Sequence, residues 1–148
     1  MYRDKMMIKI KLDKGAIAPT RAHPWDAGLD LYAPEGDGVY TICPCGGSVT
    51  IDTLVHMQIP EGFTGFIKAK SGLNVKHGLT CTGVIDSHYT GSIAVKLYNH
   101  HPCLRYDVRP GDKIAQLVIL PCVMPTLELV DSLEETDRGD NGFGSTGR

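Results

Sequence analysis

The stretch Thr82-Gly-Val-Ile-Asp-Ser-His-Tyr-Thr-Gly-Ser-Ile-Ala-Val-Lys-Leu-Tyr-Asn99 decides how the rest of the chain is read. Two apolar runs, Val84-Ile85 and Ile93 to Leu97, flank a polar knuckle. Gly91 followed by Ser92 supplies turn chemistry for the runs to fold back as a hairpin. Asp86 then stands at a strand end, and Tyr89 brings a flat ring to the same knuckle. Beside Val84 and Ile85 the Asp86 carboxylate is expected to be partly desolvated, which raises its pKa and its value as a proton acceptor. An Asp at that place also serves as an ordinary turn cap. The residues around it decide between the two roles.

Working outward, the flanking segments are short, apolar and punctuated by Gly and Pro. Residues 6–12 alternate Ile8, Ile10 and Leu12 with Lys9 and Lys11, the period of a half-buried strand. Residues 13–26 form a loop, and residues 27–33 a short strand that carries an acid, Asp30, between Leu29 and Leu31. Residues 39–42, 49–52 and 54–59 read as three further strands, and 63–70 as another. Residues 71–78 alone have room for a helical turn, with Ser71 as its N-cap. Residues 102–111 form a loop, residues 113–120 a strongly apolar strand ended by Pro121, and residues 127–130 a last short strand. About ten short strands with turn signals every eight to twelve residues predict an all-β fold, a distorted jelly-roll or β-sandwich.

The 148 residues suit one domain with a real core, and 42% apolar with 22% charged residues is ordinary for a globular chain. A formal net charge of −2 excludes a broadly basic nucleic-acid binder. No window approaches about 18 apolar residues, and the N-terminus mixes charge with apolar residues, so no membrane span and a cytoplasmic location are expected. Cys43, Cys45, Cys81, Cys103 and Cys122 are odd in number and lack paired Cys-x-x-Cys spacing, which points to reduced thiols rather than a disulfide framework or zinc site.

Residues 137–148, Asp137-Arg-Gly-Asp-Asn-Gly-Phe-Gly-Ser-Thr-Gly-Arg148, change character. Four glycines and one isolated aromatic cannot bury enough surface to order themselves. The chain therefore divides into a β domain, 1–136, and a flexible glycine-rich arm, 137–148. Phe143 between Gly142 and Gly144, with Arg138 before it and Ser145 and Thr146 after it, suits a lid over something planar and anionic.

Five segments, in order, resemble one family, the trimeric all-β dUTP pyrophosphatases or dUTPases: Ala27-Gly-Leu-Asp-Leu31, Lys70-Ser-Gly-Leu73, Gly83-Val-Ile-Asp-Ser-His-Tyr-Thr-Gly91, Gly111-Asp-Lys-Ile-Ala-Gln-Leu117 and Arg138-Gly-Asp-Asn-Gly-Phe-Gly-Ser-Thr-Gly147. The resemblance implies hydrolysis of dUTP to dUMP and diphosphate, which limits uracil incorporation into DNA and supplies dUMP. It makes Asp86 the general base for in-line attack of water on the α-phosphorus. Tyr89 would lie against the deoxyribose and refuse a 2′-hydroxyl. Main-chain groups of Gly83, Val84, Ile85 and Ala94 would pair with the uracil edge, which cytosine cannot match without leaving buried groups unpaired. Ser71, the Gly72 amide and Gln116 would hold the phosphate chain. Arg138, Ser145 and Thr146 would reach the γ-phosphate while Phe143, next to Gly144, stacks on the base. Asp30 would bear on Mg²⁺ through water. The partners implied are dUTP and two further copies of the chain, in a homotrimer with shared active sites.

Two positions depart from the family pattern. Lys70 stands where Arg is usual and neutralises a phosphate as a point charge without the bidentate fork. Ser92 stands where many members have an acid or amide, and the sequence assigns it no role. Two rival readings share the fold. A dCTP deaminase needs a glutamate on the return strand, where this chain has Lys96. A catalytically silent or regulatory nucleotide-binding protein needs none of the reactive residues, yet Asp86, Tyr89, Ser71, Gln116, Arg138 and Phe143 are all intact.

Overall fold

The computed structural model describes residues 6–140. Among these residues the chain forms β1 (Lys9–Leu12), β2 (Gly28–Tyr32), β3 (Tyr40–Ile42), β4 (Gly47–Gln58), β5 (Phe63–Lys68), α1 (Ser71–His77), β6 (Leu79–Thr80), β7 (Thr82–Ile85), β8 (Ser92–Asn99), β9 (Tyr106–Val108) and β10 (Lys113–Pro121). One sheet runs β1-β4-β8-β6 and a second β2-β10-β5-β7, with β3-β9 as a small third sheet. Every pairing is antiparallel. The expected all-β sandwich with one short helix is the fold.

Period-two patterning builds the core. Along β8, Ile93, Val95 and Leu97 turn inward and pack with Ile51 and Met57 of β4. From the facing sheet, Leu31, Ile67, Ile85, Ala115 and Leu117 complete the same cluster. Each of these Val, Leu, Ile and Met side chains contributes about 1.5–3 kcal/mol on burial, Ala115 less. Asn99 ends the buried face of β8 as a polar residue and is satisfied: its Nδ2 donates to the carbonyls of Ile42 (3.1 Å) and Leu104 (2.9 Å), and its Oδ1 accepts from the His101 amide.

Several expectations are corrected. Val84-Ile85 and Ile93 to Leu97 do not form a hairpin: β7 pairs with β5 and β8 with β4 and β6, so the knuckle is an arch from one sheet to the other. Ile85 on one side and Ile93, Val95 and Leu97 on the other are buried in facing layers, and that burial outweighs local turn chemistry. The strands expected at 49–52 and 54–59 are one strand, β4, interrupted by a bulge in which 53–55 oppose Ile93. Leu54 takes φ 60° there, which costs a residue with a Cβ about 1–2 kcal/mol. The loop expected at 102–111 contains β9, and β6 was not anticipated, because segments of two or three residues carry no period. The strand expected at 127–130 is absent.

Strand β1 begins at Lys9 and is exposed throughout rather than half-buried, since among the described residues nothing covers its apolar face. The helix is where expected, but Lys70 occupies the N-cap and no side chain caps it; Gly78, with φ 67°, closes its C-terminus. None of residues 122–140 is buried, and within that segment Val123, Leu127, Leu129 and Leu133 are each at least 86% exposed.

Candidate active site

The arch makes a cleft. Beyond Ile85 the chain turns, with the Tyr89 amide donating to the Asp86 carbonyl at 3.1 Å, and enters β8 in the opposite sheet. Because β7 and β8 belong to different sheets they part here, leaving a cavity of ≈ 220 Å³ lined by Val84, Ile85, Asp86, Tyr89, Ser92 and Ala94. Among the described residues β7 is the last strand of its sheet, so the edge away from β5 carries N–H and C=O groups that no described strand pairs. Gly83, one residue back, lies half-buried opposite Ile67.

Asp86 is exposed and its carboxylate makes no hydrogen bond or ion pair with the described residues, so it does not serve as a side-chain turn cap. The desolvation expected from its neighbours is not present in the single chain, where Val84 is 59% exposed. The Tyr89 hydroxyl donates to the Ser92 carbonyl at 2.9 Å, which folds the ring back over Gly91. Ser92, to which the sequence assigned no role, lines the cleft; its only sequence signal was its place after Gly91.

A second group of nominated residues gathers elsewhere. Asp30 of β2 lies opposite Gln116 of β10, which lies opposite Lys68 of β5, which lies opposite Thr82 of β7. Asp30 is 3% exposed, and its carboxylate is held on one oxygen by the Lys70 ammonium and on the other by that of Lys113, at 2.8 Å. Burial alone would push the Asp30 pKa up, but the two ammonium groups outweigh it and hold it below the usual carboxylate value. The same contact raises the Lys113 pKa. Two cations on one anion leave a net positive charge beside α1, whose exposed first turn has Ser71 and Gly72 and no acid. The first amides of a helix lack internal partners. Gln116 is half-buried and packs over Gly28, where an added Cβ would stand 3.0 Å from its Oε1.

Within one chain the two groups do not converge. Asp86 lies just past the end of β7, four residues beyond Thr82, about 13 Å at an extended rise. Asp30 is three strands away from Thr82, at about 4.8 Å per strand. Arg138 lies in the exposed C-terminal segment, and Phe143, Gly144, Ser145 and Thr146 lie outside the described residues.

Among the described residues no group of three or more His, Cys, Asp or Glu side chains is placed to hold a metal ion. Asp30, expected to reach Mg²⁺ through water, is occupied by ammonium groups on both oxygens, so these residues do not fit a resident metal. Lys96 does not line the cleft; its Nζ lies 5.3 Å over the Tyr98 ring.

A family model described as dUTPase matches residues 14–147. The deoxyuridine 5'-triphosphate nucleotidohydrolase of Leifsonia xyli is 42% identical over 132 residues, covering 87% of this chain and 84% of that protein. Among solved structures, the dUTPase of Staphylococcus bacteriophage 80alpha with dUPNHPP superposes with a TM-score of 0.86 at 31% identity, covering 97% of this chain and all of that one. A mutant dUTPase from phage phi11 of S. aureus, described as revealing the coordination of a structural Mg(II) ion, gives 0.78 at 28% identity over 88% of this chain and all of that one.

Proposed function

The chain belongs to the dUTPase family and is a dUTP diphosphatase, and we propose that the cleft between β7 and β8 is where the nucleoside and α-phosphorus of dUTP meet Asp86. The observation that carries this reading is that Val84, Ile85, Asp86 and Tyr89, together with Ala94 from the other sheet, line one cavity. The open edge of β7, from Gly83 to Ile85, offers alternating donors and acceptors to the uracil edge, with Ala94 on the facing strand. Tyr89 lies against C2′ of the sugar. Asp86 accepts a proton from a water molecule as its oxygen attacks the α-phosphorus in line; the bond to the bridging oxygen of the β-phosphate breaks, giving dUMP and diphosphate. No covalent intermediate is needed.

The phosphate chain is held by Ser71, the Gly72 amide, Gln116 and the charge of Lys70, which Asp30 anchors. Since this group stands apart from Asp86 within one chain, the complete site joins the cleft of one copy to the phosphate-binding group of another. The exposed apolar residues of 122–133 and the uncovered face of β1 give copies surface to bury on each other. A homotrimer with shared sites follows the family resemblance. Arg138, Phe143, Gly144, Ser145 and Thr146 close the site over base and γ-phosphate. Mg²⁺ enters on the triphosphate, keeping most of its waters.

Hydrolysis of dUTP keeps uracil out of DNA and supplies dUMP. No helix of the described residues is long and apolar enough to cross a membrane, and we place the activity in the cytoplasm. Diphosphate release from dUTP with Mg²⁺, compared with dTTP, dCTP and UTP, tests the reading. Strong preference for dUTP is expected; equal rates on dUTP and UTP would remove the role given to Tyr89.

A further inference from the structure

The bulge in β4 faces the start of β8, and its side chains reach the catalytic arch. Asp52 lies opposite Ala94 and His56 opposite Ser92, so residues 53–55 oppose Ile93 alone. Within the bulge the Asp52 carboxylate does two things: Oδ1 accepts from the Leu54 amide at 2.9 Å, and Oδ2 accepts from the Ser92 hydroxyl at 2.8 Å. Thr53, fully buried, donates its hydroxyl to the Ile93 carbonyl at 2.7 Å. Leu54 is held at φ 60°, and a backbone outlier of this kind persists only where its surroundings over-determine it. The last contact in the line is the Tyr89 hydroxyl on the Ser92 carbonyl. The ring that meets the sugar therefore leans on Ser92, and Ser92 is held by Asp52.

We propose that Asp52 and Ser92 are specificity-determining positioning residues: the Asp52–Ser92 hydrogen bond fixes the carbonyl that orients Tyr89, and so sets discrimination between deoxyribose and ribose. Neither side chain takes part in the chemical step. A charge-assisted hydrogen bond is about twice as strong as a neutral one, and the bulge presents the carboxylate already oriented by the Leu54 amide. Ser92, the residue that departs from the family pattern, thereby has a task suited to a short hydroxyl.

This inference rests on the reading of Tyr89 as the sugar gate, and the experiment separates the two. The ratio of kcat/KM for dUTP to that for UTP is measured for the wild type and for Tyr89→Ala, Ser92→Ala, Ser92→Thr and Asp52→Ala, each checked by thermal midpoint. Asp52→Ala and Ser92→Ala are each expected to lower the ratio about tenfold, the loss of one oriented hydrogen bond. Combining them should lower it no further, and Ser92→Thr, which keeps the hydroxyl, should retain it. A merely structural role would reduce dUTP and UTP turnover in parallel and leave the ratio unchanged. If Tyr89→Ala lowers the ratio while Ser92→Ala and Asp52→Ala do not, the positioning role is overturned and the gate stands. If Tyr89→Ala leaves the ratio unchanged, both fall. Should Asp52→Ala fail to fold, Ser92→Ala leaves the bulge intact and decides alone.

Discussion

The ring of Tyr89 lies so close over Gly91 that a methyl group at Gly91 would stand 2.5 Å from the Tyr89 hydroxyl oxygen and 2.6 Å from the ring carbon that bears it. Gly91→Ala must therefore swing the ring off the arch, even though the backbone there suits any residue. A misplacement of about 1 Å near a reacting centre costs up to 10²-fold in rate. Steady-state kinetics of Gly91→Ala should show kcat on dUTP down by about tenfold or more, with weaker rejection of UTP and an unchanged thermal midpoint. Wild-type kinetics in this variant would show that the ring does not act from the observed position.

Asp86→Asn keeps the size of the side chain but removes the base. Turnover of dUTP should fall by about two to four orders of magnitude, while a non-hydrolysable dUTP analogue still binds by calorimetry. Turnover at the wild-type rate would sink the assignment of Asp86 as base.

Separation of Asp86 from Ser71 and Gln116 within one chain predicts complementation between inactive chains. Asp86→Asn and a Ser71→Ala, Gln116→Ala double variant, each inactive alone, should regain about a quarter of wild-type activity when co-refolded at equal ratio, since half the chains carry each intact part. If each site were built from one chain, the mixture would stay inactive.

The carboxylate of Asp30 has a folded-state pKa below its ordinary value of 3.8, set by Lys113 and Lys70 against the cost of burial. A depressed acid stabilises the fold above its unfolded pKa, and that contribution is lost as pH falls through the lower folded value. Asp30→Asn should cost about 2 kcal/mol at pH 7, less than a fully buried pair because Lys113 is 41% exposed and can return to water. In urea unfolding the difference from wild type should be flat from about pH 5 to 8 and shrink below about pH 4. A pH-independent difference would mean that the ion pairs contribute nothing.

On the other side of the β4 bulge, His56 meets acceptors on both ring nitrogens: Nδ1 lies 2.8 Å from the Thr90 carbonyl and Nε2 2.8 Å from Asp13. The Thr90 carbonyl, then Asp13, raise its pKa above 6.5, against desolvation and the nearby Lys11. A raised histidine stabilises the fold below its unfolded pKa and loses that contribution as pH rises through the folded value. Proton NMR titration should place the His56 midpoint above 6.5, and the stability advantage over His56→Gln should decline from neutral pH upward. A midpoint at or below 6.5 would exclude a doubly donating imidazolium.

From the sequence alone came the all-β class, the positions of most strands and the residues around Asp86, because period-two burial and Gly/Pro punctuation are local properties of a chain. The cleft itself was not legible there. Val84-Ile85 and Ile93 to Leu97 look like hairpin arms in sequence, and only the pairing of β7 with β5 and of β8 with β4 separates them into two sheets and opens the space between. The same holds for Asp30, where an acid between two leucines was visible but its commitment to Lys70 and Lys113, 40 and 83 residues away, depends on strand register. Asp52 and His56 gave no signal at all, since their meaning comes from a bulge whose three residues oppose one. Local periodicity records which side of a strand is buried, whereas contacts between residues distant in sequence are decided by which strands share a sheet.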